Sequence, residues 1–211
     1  MLSLIFQNPF IFLAYLFTIL FALTIHEFSH AFSAYLAGDQ TAKEYGRLTF
    51  NPFAHVDILG LMMLFIAGFG WGKPVPINPD NFKKPRRDVL LVSLAGPMSN
   101  IIAGVILIFI LKFISLNFNL SSANLLIIFL FFLVIINFSL GIFNLIPIPP
   151  LDGSKILFSI LPDRFIKFKY TFSQYGPWLL LSFIIFDNFL NLGIFNHLFN
   201  SFLSFISNII D

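Results

Sequence analysis

Apolar runs of bilayer length recur along this chain, separated by short polar or proline-rich breaks. The first covers residues 10–36, where Phe10, Ile11, Phe12, Leu13, Leu16, Phe17, Ile19, Leu20, Phe21 and Leu23 make a helix able to cross a hydrocarbon core. Gly38-Asp39 ends it. Residues 40–57 are polar and mixed, with Lys43, Glu44, Arg47 and the turn-forming Asn51-Pro52, and predict a loop with a short strand at 46–50. The run 58–69 falls short of the ~20 residues a spanning helix needs and suits a re-entrant or interfacial piece.

Prolines 74, 76 and 79 keep the next segment extended, and Lys83, Lys84, Arg86 and Arg87 follow. A second span is expected at about 88–113, where Gly96, Asn100 and Gly104 recur every four residues as a small-and-polar stripe suited to close helix approach. Packing explains that stripe about as well as function does. After a polar break at 117–124, a third span covers about 125–143. Asn144-Leu145-Ile146-Pro147-Ile148-Pro149-Pro150-Leu151-Asp152-Gly153 then stops the helix, because three prolines remove donors. Non-helical backbone at membrane depth needs protein or a water-filled cavity around it, which puts Asp152 at or near a cavity. A short helix at 154–161, a basic loop with Arg164, Lys167 and Lys169, a fourth span near 178–195 and a C-terminal amphipathic helix at 195–210 complete the pattern. The expected fold is all-α and polytopic, with about four transmembrane helices. It reads as one domain over 1–211, with a core at 10–161 and C-terminal helices at 175–211.

Composition agrees. Of 211 residues, 58% are hydrophobic, 31 are Phe and only 10% are charged, which no soluble domain of this size matches. A net charge of +2 is too small to indicate nucleic acid. The bases at 43–47, 73–87 and 164–169 fall on one side if 58–69 does not cross, and that side is then cytoplasmic. The implied setting is the lipid bilayer of the cell membrane.

Within the first run stands Thr24-Ile25-His26-Glu27-Phe28-Ser29-His30. A carboxylate at that depth costs roughly 2.5–3.5 kcal/mol on insertion scales, so it needs a reason. On a helix His26 and His30 lie one turn apart on one face and can share an ion, while Glu27 can reach a water bound to it. That spacing is a zinc hydrolase's; two core histidines and a glutamate facing a neighbouring helix or a pore would be the bland alternative. Catalytic zinc takes three protein ligands and leaves one position open. With no cysteine in the chain, His26, His30 and Asp152 supply the three, Asp152 following the inner end of the third span at the same depth. One Zn2+ per chain would activate water for attack on a peptide carbonyl, with Glu27 as general base and later proton donor.

His26-Glu27-Phe28-Ser29-His30 together with Asn144 to Pro147 and Leu151-Asp152-Gly153 resembles the site-2 protease family of intramembrane zinc metalloproteases. Gly46 to Pro52, Gly72-Lys73-Pro74-Val75-Pro76 and Ala95-Gly96-Pro97 resemble features of its short forms, which lack a PDZ or CBS domain. The resemblance implies that His26, His30 and Asp152 are zinc ligands, that Glu27 is catalytic and that Asn144 holds substrate backbone. Without the motif, Asn144 reads as a helix C-cap. His55 could gate the metal, join it as a transient ligand or bond to Asp57 as an ordinary loop histidine. His197 and Asp187 read as structural. The implied partner is a transmembrane or membrane-associated peptide substrate, received as an added strand along residues 47–50 and 73–77. A transmembrane metal-ion transporter and a catalytically inactive protease-like scaffold are the competing functions.

Overall fold

The computed structural model of the chain describes residues 8–67, 70–118, 120–121, 123–190, 193 and 204. Helix α1 (Pro9–Ala37) opens where Asn8 accepts a hydrogen bond from the Ile11 N–H, with Pro9 in the first turn. It closes at Gly38, whose φ of 109° suits glycine, and the Asp39 N–H then donates back to the Ala34 carbonyl. After it come α2 (Thr41–Glu44), α3 (Ile58–Ala67), α4 (Pro85–Phe118), α5 (Leu125–Asn144), α6 (Asp152–Ile160) and α7 (Ile166–Phe189).

Helices α1, α4 and α5 pack against one another, and α6 docks on α4. Between α4 and α5 the core is apolar, built from Ile108, Leu111, Leu130, Leu133, Val134, Ile135 and Phe138. Gly104 admits the Phe138 ring there: a Cβ at Gly104 would stand 2.6 Å from two ring carbons. Toward the other end the interior turns polar, with Asn100 and Asn137 fully buried. The outward faces are apolar instead. Phe17, Phe21, Ile102, Phe109 and Phe113 are exposed, as expected for helices whose solvent is hydrocarbon.

Among the described residues three helices, α1, α4 and α5, are long and apolar enough to cross a membrane, one fewer than expected. The expected fourth, near 178–195, overlaps the second half of α7 and runs on beyond the described residues. The short strand expected at 46–50 does not form; that stretch is turn and bend, and the β-pairing among the described residues is a single antiparallel bridge between Val56 and Gly72. The run 58–69 gives the ten-residue α3, about 15 Å long and half a hydrocarbon thickness. Apart from Ser204, the amphipathic helix expected at 195–210 lies outside the described residues, as does His197.

Two clasps gather the loops at the end where α1 finishes and α4 begins. Buried Asp39 accepts hydrogen bonds from the Thr41 N–H and hydroxyl, the Asn78 N–H at 2.8 Å and the Asn81 amide at 2.8 Å. Arg86 and Lys169 both donate to the Leu161 carbonyl, which draws the start of α4 and the start of α7 to one place.

Candidate metal centre

His26 and His30 sit one turn apart on the buried face of α1, and Asp152 is the first residue of α6. The Nε2 atoms of the histidines are 3.1 Å apart, and Asp152 Oδ2 lies 3.1 Å from that of His26 and 2.9 Å from that of His30. Three donor atoms from two distant segments thus face one point. Two nitrogens each about 2.05 Å from a tetrahedral zinc stand about 3.3 Å apart, so the observed spacings suit such an ion.

The far side of each ring is held. His30 Nδ1–H donates to the Val92 carbonyl at 2.7 Å, and His26 Nδ1–H donates to Asn100 Oδ1 at 2.7 Å, both on α4. With Nδ1 protonated on both rings, both Nε2 lone pairs point inward beside a carboxylate oxygen. Such a set of facing acceptors repels itself unless a cation lies between, and this is the observation that fits the residues to zinc.

Asp152 gains its position from the proline-rich turn. Gly153 packs under the ends of that turn, where a Cβ would stand 2.3 Å from the Leu145 carbonyl oxygen and 2.4 Å from that of Ile146. No larger residue lets α6 start so close to the end of α5. Lys155, one turn on, donates to Asp152 Oδ1 at 3.0 Å and leaves Oδ2 to face the histidines. Burial alone would raise the Asp152 carboxyl, but its contacts with both histidines and the Lys155 ammonium reverse this and hold it well below the usual carboxylate range.

Glu27 is buried beside the cluster without joining it: among the described residues the group whose donor atoms converge is His26, His30 and Asp152. Its Oε2 accepts the Val75 N–H at 3.2 Å, from the Pro74-Val75-Pro76 segment. That segment is strapped down by the Lys73 N–H donating to the His55 carbonyl at 2.8 Å and by the Arg47 guanidinium donating to the Lys73 carbonyl.

The other expected site residues are placed differently. His55 is fully buried but outside the cluster; its Nε2–H donates to the Thr49 carbonyl at 2.8 Å, and Asp57, the partner expected for an ordinary loop histidine, caps α3 by accepting the Gly60 N–H. Asn144 ends α5 with its amide donating to the Leu140 carbonyl at 2.9 Å, a bond within its own helix. Sequence reasoning missed Lys155, although its place three residues after Asp152 on a helix was a usable signal. It also missed Val92, whose contribution is a backbone carbonyl and leaves no mark in a sequence.

Comparisons with known proteins agree with this chemistry. Residues 113–186 match Peptidase family M50. The chain is 41% identical over 148 residues to a Bacillus subtilis (strain 168) protein named "Putative zinc metalloprotease YwhC", a match covering 69% of this chain and 68% of that one. A Mycobacterium tuberculosis protein named "Putative zinc metalloprotease Rip2" is 36% identical over 140 residues, 64% of this chain and 52% of its own length. "Zinc metalloprotease MJ0392" of Methanocaldococcus jannaschii is 29% identical over 173 residues, 78% of this chain and 40% of its own. The chain thus spans about two thirds of YwhC, about half of Rip2 and two fifths of MJ0392. No solved structure matches. By its likeness to YwhC and the family match, the chain belongs to peptidase family M50, the site-2 protease family of intramembrane zinc metalloproteases.

Proposed function

We propose that this chain is an intramembrane zinc metalloendopeptidase that hydrolyses membrane-embedded peptide substrates, with His26, His30 and Asp152 holding one zinc ion and Glu27 acting as general base. The observation that carries the reading is the convergence of two Nε2 atoms and Asp152 Oδ2 within 3.1 Å, with the Glu27 carboxylate buried alongside and not among the converging atoms. Zinc bound by such a set lowers the pKa of its water toward ~7 and polarises a carbonyl. Glu27 accepts the water's proton and returns it to the leaving amine. The low-dielectric helix interior strengthens both interactions. Asn144 contacts substrate backbone once its amide leaves the Leu140 carbonyl, and His55 serves by anchoring the segment that carries Val75.

The site faces the cytoplasmic side in this proposal. Supporting it, the basic residues at 73–87 and 164–169 gather at the end where α4 begins, and bases favour the cytoplasm. A helical substrate has no free backbone groups, so it unwinds before its carbonyl is attacked, and it runs alongside residues 73–77.

The test is metal content and cleavage, measured on the same preparations of wild type, Glu27→Gln and Asp152→Ala with a panel of single-span substrates. Glu27→Gln should retain zinc and lose at least about 10²-fold in cleavage rate, the lower end of what a general base contributes. Asp152→Ala should lose both metal and cleavage. A transporter whose Glu27 charge bound the ion would instead lose metal or flux in Glu27→Gln, and cleavage unchanged in both variants would end the protease reading.

A further inference from the structure

The metal-facing rings are set by partners that the hydrolytic reading does not use, and one of those partners is itself held in an unusual way. Asn100, on α4, is fully buried in a membrane-spanning helix. Its Oδ1 accepts the His26 Nδ1–H at 2.7 Å, and its amide nitrogen donates to the Ala22 carbonyl on α1 at 2.9 Å and to Asn137 Oδ1 on α5 at 2.9 Å. Asn137, also fully buried, donates its own amide to the Leu133 carbonyl at 2.8 Å. One acceptor and two donors of Asn100 are therefore all engaged.

This network fixes a proton. If the Asn100 amide were turned over, its oxygen would face two acceptors, the Ala22 carbonyl and Asn137 Oδ1, and its nitrogen would face His26. Asn137 cannot turn in response without setting its oxygen against the Leu133 carbonyl. The orientation of Asn100 is consequently dictated by α1 and α5 backbone, and the oxygen it presents to His26 demands a proton on Nδ1. The Nε2 lone pair then faces His30 and Asp152. In His30 the same end is reached through a main-chain carbonyl, that of Val92, which no substitution removes.

We infer that Asn100 is a positioning residue for the metal site, and that Asn137 is the backstop that keeps its amide turned: the pair selects the Nδ1–H tautomer of His26 and so presents Nε2 to the ion. The inference rests on the metal-binding reading above and assigns a job to the polar member of the Gly96, Asn100 and Gly104 stripe that helix packing alone does not require. A helix-gluing asparagine would serve equally well bonded to any neighbour; this one spends its single acceptor on a ring.

Two substitutions separate the roles. Asn100→Leu removes the acceptor and both donors, whereas Asn100→Asp, entering this buried place as the carboxylic acid, keeps an acceptor for Nδ1–H and one O–H donor for the Ala22 carbonyl or Asn137 Oδ1. Full-length protein is purified in detergent, helix content is checked by circular dichroism, and zinc affinity is read by competition with a chromophoric chelator. Asn100→Leu should bind zinc 10–100-fold more weakly than wild type, the range typical for loss of a ligand's outer partner, and Asn100→Asp should recover most of that loss. Asn137→Leu should weaken binding less than Asn100→Leu, because the acceptor remains but its orientation is looser. Equal losses in Asn100→Leu and Asn100→Asp would overturn the inference in favour of simple helix adhesion, and so would wild-type affinity in Asn100→Leu. A wild type that holds no zinc would instead remove the metal reading itself. As a second measurement, 15N-histidine spectra of metal-free wild type should show His26 with its proton on Nδ1; a proton on Nε2 alone would overturn the assignment independently of any variant's folding.

Discussion

Gly96 of α4 lies against His30 of α1 so closely that a Cβ on Gly96 would stand 2.4 Å from His30 Nε2 and 2.8 Å from His26 Nε2. The glycine roofs the two metal-facing nitrogens, and neither ring has another place to go while Val92 and Asn100 hold their far sides. Gly96→Ala should therefore push α4 away or turn a ring, at the cost of about 1–3 kcal/mol that overpacking typically carries. Zinc affinity should fall by about 5- to 150-fold if that energy is taken from the geometry of the two ligands. Chelator competition reads this directly, and wild-type affinity in the variant would mean that α4 can withdraw without disturbing the rings.

Lys155 offers a smaller effect, and its size is the prediction. Its ammonium meets Asp152 Oδ1 at 3.0 Å, but the side chain is 49% exposed. Exposed ion pairs contribute about 0.2–1 kcal/mol, so Lys155→Met should weaken zinc binding by less than about tenfold, against near-complete loss in Asp152→Ala. A loss in Lys155→Met as deep as that of Asp152→Ala would show that the lysine orients the carboxylate rather than merely accompanying it.

Asp39→Ala should destabilise the loop end of the molecule. The carboxylate gathers donors from Thr41, Asn78 and Asn81 while fully buried, and its removal strands them. The donors sit on half-buried or exposed residues that water can reach, so the expected loss is that of hydrogen bonds to a charged acceptor, about 1–3 kcal/mol in all, seen as faster proteolysis between α1 and α4. Proteolysis at the wild-type rate would place the strength of that end elsewhere.

Acid should act through His55. Burial, reinforced by the Arg47 charge and only partly offset by the bond to Thr49, lowers its pKa below the ordinary 6.5. An unfolded chain takes up the proton as pH falls through 6.5, whereas the folded chain resists it. The contribution of His55 is thus fully present above pH 6.5 and is lost below it, down to the folded value. Lowering the pH from about 7.5 to about 5.5 should reduce the melting temperature of wild type more than that of His55→Gln, whose amide can still donate to Thr49. Equal reductions would assign the acid sensitivity to another group.

Much of the site was readable because the bilayer makes polarity expensive. His26, Glu27 and His30 stood out against an apolar run, and the prolines after Asn144 located Asp152 by stopping a helix where it could not fray into water. The spacing of two histidines fixed their common face. What stayed hidden depended on tertiary placement: Asn100 looked like any small-polar stripe until Ala22 and Asn137 gave its amide an orientation, and Val92 acts through an atom every residue has. The loop at 46–50 misled for a related reason, since its bonding partners are Lys73 and His55 and not a neighbouring strand. The fourth span, expected near 178–195, runs past the described part of α7, so among the described residues three helices meet the length and apolarity of a span.

The Asn100–Asn137 bond has a mechanical corollary. Because it joins α4 to α5 while the same amide grips α1, the three spanning helices form a fixed frame around the hydrolytic centre, and prising any two apart would expose amides to hydrocarbon. An entrance for substrate is then hung on that frame and not cut through it. Substrate entry is therefore sought at the periphery of that frame, past the proline-flanked ribbon whose Val75 N–H meets Glu27, and stiffness at its heart.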